Sequence, residues 1–362
     1  MGTASTMAIT TEALGLMIPN SACAPAVSAD RKRIAENTGK TAVKIANENL
    51  KPSVFLTEKN FLNALMVLSS IGGSTNGLVH LTAMAGRLGI KIDLSNFDDM
   101  TKNLPMIVDL KPSGTGYMED LYKAGGSQRI FYELRDFLYL EAKSVNGTSL
   151  GEEIKNSAKW SQNIITDKSN PVFNAGSIAV LKGSLAPNSA IIKQSAATKS
   201  LLNHQGRAVV FEGLEDLANR IDRDDLDVTK DDVLVLKSIG PKGGPGMPEA
   251  GLIPIPKKLA RQGVKDMVRI SDGRMSGTAS GTIILHVTPE SYENGPLAIV
   301  QNGDIVKLDV PNRKIDLMIS EKEITERIKK KLKNNIKRRG YNKIYMEHVT
   351  QADKGVDFDF LI

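Results

Sequence analysis

Two glycine-dense loops carry the residues of this chain whose types and spacing are best suited to chemistry. The loops are Gly240–Gly246 and Gly273–Gly277; Glu249 follows the first, and Ser276 lies inside the second. Glycine allows positive φ or a close backbone approach to a ligand, at a cost in conformational entropy. A single loop of this kind is equally well explained as a surface turn. Two loops, each with a carboxylate or a hydroxyl, favour a binding or catalytic site.

The second loop follows a predicted strand. The run Asp266–Ile270 is short and apolar, as in a buried strand, and Arg274 comes soon after it. A polar loop at the end of such a strand is where open α/β folds place ligands. Arg274 would then stabilise the loop or contact a substrate carboxylate. A structural ion pair between Arg274 and Asp272 explains the arginine equally well.

The two loop segments, GPKGGPGMPE and ISDGRMSGTASG, resemble the paired signature of the dihydroxy-acid and sugar-acid dehydratases. These are iron–sulfur hydro-lyases that convert 2,3-dihydroxy acids to 2-keto acids, and the resemblance extends over most of the chain. The segments NSACAPAVSADR and PEAGLIPIPKKL and the C-terminal tail are more similar to the sugar-acid branch. The resemblance therefore implies dehydration of an aldonate, such as arabinonate or xylonate, to a 2-keto-3-deoxy acid. The alternative is the dihydroxy-acid dehydratase of branched-chain amino-acid biosynthesis.

The resemblance also implies roles for single residues. Glu249 matches the family's magnesium-ligand glutamate, and Ser276 matches the serine whose alkoxide takes the Cα proton. Mg²⁺ would hold the substrate carboxylate and 2-hydroxyl, and an Fe–S cluster, 2Fe–2S or 4Fe–4S, would bind the leaving hydroxyl. Serine becomes a base only when a metal and hydrogen-bond donors lower its pKa, so Thr278 and nearby N–H groups are candidates to hold it. Thr278 and Arg274 are accordingly predicted to line the substrate site.

A further polar cluster, Ser74, Thr75 and Asn76, stands in the segment GGSTN before a predicted helix. N-capping explains three such residues well. A helix N-terminus also presents free N–H groups and the positive end of its dipole to a carboxylate. Because the segment resembles the family's substrate-proximal loop, all three residues are predicted to bind substrate.

The chain has one cysteine, Cys23. An Fe–S cluster needs three or four cysteine thiolates, or cysteine with histidine, so the cluster ligands are absent from this chain. In the family, a segment like GTASTM follows a cluster cysteine, and here it stands directly after Met1. The chain is therefore interpreted as an N-terminally truncated member that covers the C-terminal part. Two alternatives are a binding protein that has lost the reaction, and one piece of a split enzyme completed by a separate chain.

Composition limits the class of protein. The chain has 362 residues, 41% of them hydrophobic and 24% charged, as in an ordinary soluble globular protein. It shows neither an apolar run of membrane-spanning length nor a signal-peptide pattern, which predicts a cytoplasmic protein with no membrane partner.

The net charge of +6 suits a small anionic substrate. The basic run Lys329–Arg339 is interpreted as a solvated helix face; without interleaved aromatics, a nucleic-acid partner is not expected. The family resemblance implies a homo-oligomer.

The distribution of helical and β-prone runs along the chain predicts an α/β protein that consists of three parts. Residues 1–165 are interpreted as the C-terminal part of an α/β N-terminal domain, 170–318 as a β-rich barrel-like (swivelling β/α) domain, and 320–362 as a helix and tail. A turn-rich linker is expected at Ser161–Asn174. Short β-prone runs at close spacing indicate the barrel-like domain. The predicted strands are Ser177–Leu181, Ala190–Lys193, Ala208–Phe211, Val233–Leu236, Met267–Ile270, Thr282–Val287, Leu297–Val300 and Ile305–Val310.

Overall fold

The computed structural model describes residues 1–157, 162–331 and 338–361. These residues form two compact units, Met1–Ser177 and Ile178–Ile362. Helices are the main regular secondary structure of the first unit, and a single large sheet forms the centre of the second. The predicted mixed α/β class with a β-rich, barrel-like second part is confirmed.

The first unit consists of helices joined by tight turns. Ser28 accepts the N–H of Arg31 to cap the second helix, and a capping box of Thr57 and Asn60 begins the fourth. Within the described residues of this unit, strand pairing is limited to isolated bridges such as Val108–Ile165. The helices are α1 Thr3–Ala13, α2 Ala29–Asn47, α3 Pro52–Phe55, α4 Glu58–Ser70, α5 Asn76–Gly86, α6 Leu94–Thr101, α7 Met118–Lys123, α8 Gly126–Glu133 and α9 Leu150–Ile154.

The second unit contains an eight-stranded sheet in the order β1-β2-β6-β5-β4-β3-β7-β8. The central strands β6, β5, β4 and β3 run parallel, and antiparallel strands flank them. The strands are β1 Ala179–Leu181, β2 Ser189–Ile192, β3 Asn203–Phe211, β4 Val233–Leu236, β5 Arg269–Ser271, β6 Ile283–Thr288, β7 Ile305–Asp309 and β8 Lys314–Leu317. The helices are α10 Leu214–Arg220, α11 Lys257–Arg261, α12 Glu321–Lys330 and α13 Tyr341–His348.

The sheet nearly closes into a barrel. Beyond the end of β1, Lys182 donates its N–H to Arg313 at 2.9 Å and forms a bridge with Lys314 at the start of β8. Alternate residues then fill the two faces: Val235 joins the interior cluster with Ile270 and other strand residues. Leu234 and Leu236 pack on the opposite face, with the apolar side chains of α10 and α11.

One predicted strand is wrong, and one observed strand was not predicted. Leu297–Val300, predicted as a strand, lies mainly in the 3₁₀ helix Pro296–Ile299, where proline at the first position favours helical φ. The strand Lys314–Leu317 was not predicted because only alternate residues are buried, so its apolar signal is weak. In α2 the apolar side chain of Val43 is exposed, and no residue of that helix is buried.

Some expectations concern residues whose structure is not described. Ser161 of the predicted linker and residues 332–337 of the Lys329–Arg339 run lie outside the described ranges. The predicted domain limits near 165, 318 and 320 stay predictions. Among the helices of the described residues, none is both long enough and apolar enough to cross a membrane.

Candidate active site

A buried carboxylate joins the ends of two parallel strands. Asp272 follows β5 and accepts the backbone N–H groups of Ser238, Ile239 and Ser291 at 3.2, 3.0 and 2.8 Å. Burial raises the pKa of the Asp272 carboxyl, while these donors act in the opposite direction. The carboxylate therefore anchors the segment after β4 to the beginning of the Ser276 loop, the segment 272–282 between β5 and β6.

The first glycine-dense loop folds around a second buried carboxylate, Glu290. Its oxygens accept the N–H of Lys242 at 3.0 Å and that of Gly243 at 2.9 Å, and Gln351 donates its side-chain amide at 2.6 Å. A Cβ at Gly240 would stand 2.6 Å from a Glu290 oxygen, so glycine is required there by close approach. Part of the glycine density thus serves an internal carboxylate.

The two loops are in direct contact. A Cβ at Gly273 would stand 2.4 Å from Cδ1 of Ile239, which brings the Ser276 loop against the start of the first loop. Gly251 donates its N–H to the carbonyl of Arg274 at 2.7 Å, and Arg274 donates from Nε to the carbonyl of Met247. The segment that carries Glu249 is therefore tied to the segment that carries Ser276.

These contacts decide between the alternatives for Arg274. In the part of the chain that the structure describes, no ion pair joins Arg274 to Asp272. The arginine instead links the backbones of the two loops. A contact between Arg274 and substrate stays a prediction.

Ser276 is half-buried, with its hydroxyl held within its own turn. Its Oγ lies 3.0 Å from Oγ1 of Thr278, and the N–H of Thr278 points to it at 3.4 Å. Thr278 and Glu249 are exposed. A hydroxyl with two neighbouring donors, on a loop joined to a carboxylate segment, suits proton transfer to or from a ligand. The assignments of Ser276 as base and Glu249 as metal ligand stay predictions.

Ser74, Thr75 and Asn76 lie in the first unit and are buried. Thr75 stands at the N-cap of α5 but makes no side-chain cap bond. Ser74 Oγ is 3.0 Å from Oγ1 of Thr3, and Asn76 donates its amide to the same hydroxyl at 3.0 Å. These residues therefore fasten the start of α5 to α1. Their predicted contact with substrate is a separate matter and stays a prediction.

The described residues do not suit an Fe–S cluster. Cys23 is 5% exposed, and burial, with the nearby Glu12 carboxylate, raises the pKa of its thiol to about 12. An Fe–S cluster is held by three or four cysteine thiolates, or by cysteine with histidine, and Cys23 is the single cysteine of the sequence. No three His, Cys, Asp or Glu side chains are grouped to hold a metal anywhere in the described ranges. A Mg²⁺ ion needs fewer protein ligands than an Fe–S cluster, because it usually keeps several waters. The Glu249 carboxylate is a hard oxygen donor of the kind that Mg²⁺ prefers.

Comparison with known sequences identifies the family. A sequence model described as dihydroxy-acid/6-phosphogluconate dehydratase C-terminal matches residues 163–356. The corresponding N-terminal model matches residues 1–153. The chain therefore belongs to the dihydroxy-acid/6-phosphogluconate dehydratase family.

Relatives within the family carry different substrate names. L-Arabinonate dehydratase of Rhizobium leguminosarum bv. trifolii is 43% identical, over 97% of this chain and 61% of the relative. 6-Deoxy-6-sulfo-D-gluconate dehydratase of Pseudomonas putida is 39% identical, over 100% of this chain and 63% of the relative. Dihydroxy-acid dehydratase of Methanococcoides burtonii is 38% identical, over 98% and 64%. The chain thus spans less than two thirds of the length of these relatives.

The match to the N-terminal model corrects one interpretation. The chain was predicted to be an N-terminally truncated member that covers only the C-terminal part of the family. That prediction is wrong, because residues 1–153 match the N-terminal model. It rested on the single cysteine and on the position of one short segment, GTASTM, and such a segment contains too little information to define a domain.

Sequence reasoning missed two residues that the structure places at or near these loops. Glu290, the anchor of the first loop, follows a strand in sequence and carries no motif of its own. Lys193 was treated only as the end of a predicted strand, yet its side chain is 3% exposed. A charged residue that directly extends the apolar run Ala190–Ile192 is a weak sequence signal for a buried charge.

Proposed function

We propose that this chain belongs to a hydro-lyase that dehydrates a 2,3-dihydroxy sugar acid to a 2-keto-3-deoxy acid. The observation that carries the proposal is the Ser276 hydroxyl, supported by Thr278 on a loop tied to the Glu249 segment. Two relatives named for sugar-acid substrates, at 43% and 39% identity, support an aldonate. The alternative is a branched-chain dihydroxy acid, since a relative with 38% identity is named for that class.

The reaction requires transfer of a weakly acidic Cα proton and loss of the Cβ hydroxyl. Ser276 Oγ, as an alkoxide, accepts the Cα proton, and the Thr278 donors stabilise the alkoxide beforehand. The electron pair of the Cα–H bond forms the Cα–Cβ double bond as the hydroxyl leaves, and the resulting enol becomes the 2-keto acid. Mg²⁺ bound through Glu249 would stabilise the negative charge that develops on the substrate. No step is assigned to an Fe–S cluster.

A second candidate is a protein that binds the acid without completing the reaction. The single, buried Cys23 favours it, because an Fe–S cluster needs several ligands of this kind. A split enzyme is a further alternative, in which a separate chain supplies the cysteines. A homo-oligomer, a small anionic substrate and a cytoplasmic location remain part of the proposal.

Exchange of the Cα proton tests the proposal without requiring loss of hydroxide. The chain, purified without oxygen, is incubated in D₂O with Mg²⁺ and either L-arabinonate or 2,3-dihydroxyisovalerate, and C2 deuteration is followed by NMR. We expect exchange with the sugar acid and a loss of about 100-fold or more in Ser276→Ala. Ser280→Ala is the matched control, because Ser280 is an exposed serine near the end of the same loop.

The outcomes separate the candidates. Exchange only with 2,3-dihydroxyisovalerate supports the branched-chain alternative. Binding of L-arabinonate without exchange supports the binding protein. Equal exchange in the wild type and in Ser276→Ala contradicts the role of Ser276. Iron and sulfide analysis of the same preparation, and assay of 2-keto acid, show whether this chain alone holds a cluster and turns over.

A further inference from the structure

Lys193 is a buried cation for which the described part of the chain provides no ion-pair partner. Its side chain is 3% exposed, and within the described residues its Nζ has no hydrogen-bond partner. Burial lowers the pKa of the Lys193 ammonium to about 8. An isolated buried charge is strongly unfavourable, so lysines in such places are usually paired. The position would suit methionine better if the side chain only filled space.

The strand register places Lys193 beside the Ser276 loop. Ile191 pairs with Leu285 and Ile192 with Ile284, and β2 ends at Ile192. Lys193 follows directly, at the N-cap of the 3₁₀ helix Gln194–Ala196. Lys193 therefore follows the last pair between β2 and β6, the strand that the Ser276 loop enters.

The start of β6 packs against the Ser276 loop on one face of the sheet. Ile192 and Ile284 belong to the interior cluster of the barrel. Ile283 lies on the opposite face, in a cluster with Met275 against which Ala279 packs. That face is covered by the residues on either side of Ser276 in the sequence.

The segment after Lys193 is also bonded to the end of this loop. The carbonyl of Ala196 accepts the N–H of Gly281 at 3.0 Å, and Thr198 donates its N–H to Thr282 Oγ1 at 3.2 Å. Lys193 thus lies between β2 and the return of the Ser276 loop into the sheet. An anion bound at this loop would lie within reach of a lysine side chain.

We propose that Lys193 is the charge partner of the carboxylate of an acid bound at the Ser276 loop. This inference rests on the proposed function and deepens it, since it names the residue that selects an acid over a neutral polyol. In a site of low polarity a bound carboxylate would pair strongly with the ammonium. The described residues provide no such partner in the free protein, so the ligand itself would supply it.

Equilibrium binding tests the inference without any turnover. Calorimetry in the presence of Mg²⁺ compares L-arabinonate with L-arabinitol, the neutral polyol of the same carbon chain. The wild type should prefer the acid, and Lys193→Met should bind it at least about tenfold more weakly, with little change for the polyol. Lys307→Met, at an exposed position on β7, is the matched control and should bind like the wild type.

A spectroscopic measurement separates charge pairing from a structural role. In protein labelled with ¹³C at lysine Cε, the signal lost in Lys193→Met reports the Lys193 pKa. L-Arabinonate should raise that pKa, because a neighbouring carboxylate favours the ammonium. Lys193→Gln serves as the second neutral variant should Lys193→Met fail to fold.

The two proposals fail in different ways. If the wild type binds L-arabinonate and Lys193→Met binds it equally well, the inference about Lys193 is overturned while the proposed substrate class stands. If the wild type binds no L-arabinonate, the substrate class is wrong. In that case the pKa of Lys193 is measured from its ¹³C signal with and without acetate. A pKa that acetate does not change overturns the proposal that Lys193 forms an anion site.

Discussion

The carboxylate of Glu290 accepts the backbone N–H of Lys242 through both of its oxygens at 3.0 Å. The two residues are 48 positions apart, and the contact fastens the first glycine-dense loop to the segment that follows β6. Since Gly243 donates to the same carboxylate, two N–H groups of this loop are already occupied. In the Ser276 turn, by contrast, Thr278 is exposed and the Ser276 hydroxyl is held only within its own turn.

Replacing Glu290 by glutamine should destabilise the second unit. The amide would place an NH₂ group against N–H donors, and a buried donor left without an acceptor costs about 1–3 kcal/mol in the free energy of unfolding. Urea unfolding followed by circular dichroism measures the loss. Glu326→Gln, at an exposed position of α12, is the control; equal stability of the two variants would show that the Glu290 contacts are dispensable.

Replacing Gly243 by alanine should distort the first loop. A Cβ there would stand 2.6 Å from the carbonyl carbon of Ser238 and 2.8 Å from its Cα, and backbone atoms cannot move aside cheaply. We expect a loss of about 1–3 kcal/mol in the free energy of unfolding. Gly39→Ala in α2 is the control, because nothing lies within 4 Å of its Cβ and alanine is the better helix former. Similar unfolding midpoints for both variants would contradict the close approach.

Cys23 should resist thiol reagents in the native protein. With a pKa of about 12 and a buried side chain, it has almost no thiolate at pH 8. Its reaction with 5,5′-dithiobis(2-nitrobenzoate) should be slower by at least about 100-fold than in the same protein unfolded in guanidinium chloride. Rapid native labelling would show an accessible thiolate, and would reopen the question of metal binding at Cys23.

The stability of the protein should rise with pH as Lys193 loses its proton. Its pKa is about 8 in the folded state, against 10.5 when exposed. Below pH 8 both states hold the proton and the burial penalty is full; between these values only the unfolded state holds it, so stability increases with pH. Lys193→Met should have a higher free energy of unfolding than the wild type at pH 7. This difference, measured in urea, should be smaller by about 3 kcal/mol at pH 10. An unchanged difference would mean that Lys193 is not a buried ammonium in the free protein.

Sequence patterns sufficed for much of the fold of the second unit. Seven strands lie at or close to predicted runs, because apolar β-branched residues between turns are a local signal. Lys314–Leu317 escaped prediction since only half of its residues are buried, and Leu297–Val300 looked like a strand although proline begins a 3₁₀ helix there. Burial alone does not distinguish a strand from a short helix.

The candidate site was likewise predicted from the sequence only in part. Its two loops, Ser276 and Glu249 were recognisable from residue types and spacing, and the family was recognisable from the motifs that contain them. The contacts that join the loops were not, since Gly251 meets Arg274, and Asp272 meets Ser291, only after the sheet has formed.

By itself, then, the sequence determined the family, the α/β class and the chemistry-bearing loops, because these depend on local composition and periodicity. Only the tertiary structure decided what the polar residues touch: it bound Glu290 to the first loop and left Lys193 buried beside the second. The reason is physical. Partners of buried charges are set by strand register and by closure of the sheet, which bring together residues far apart in the chain.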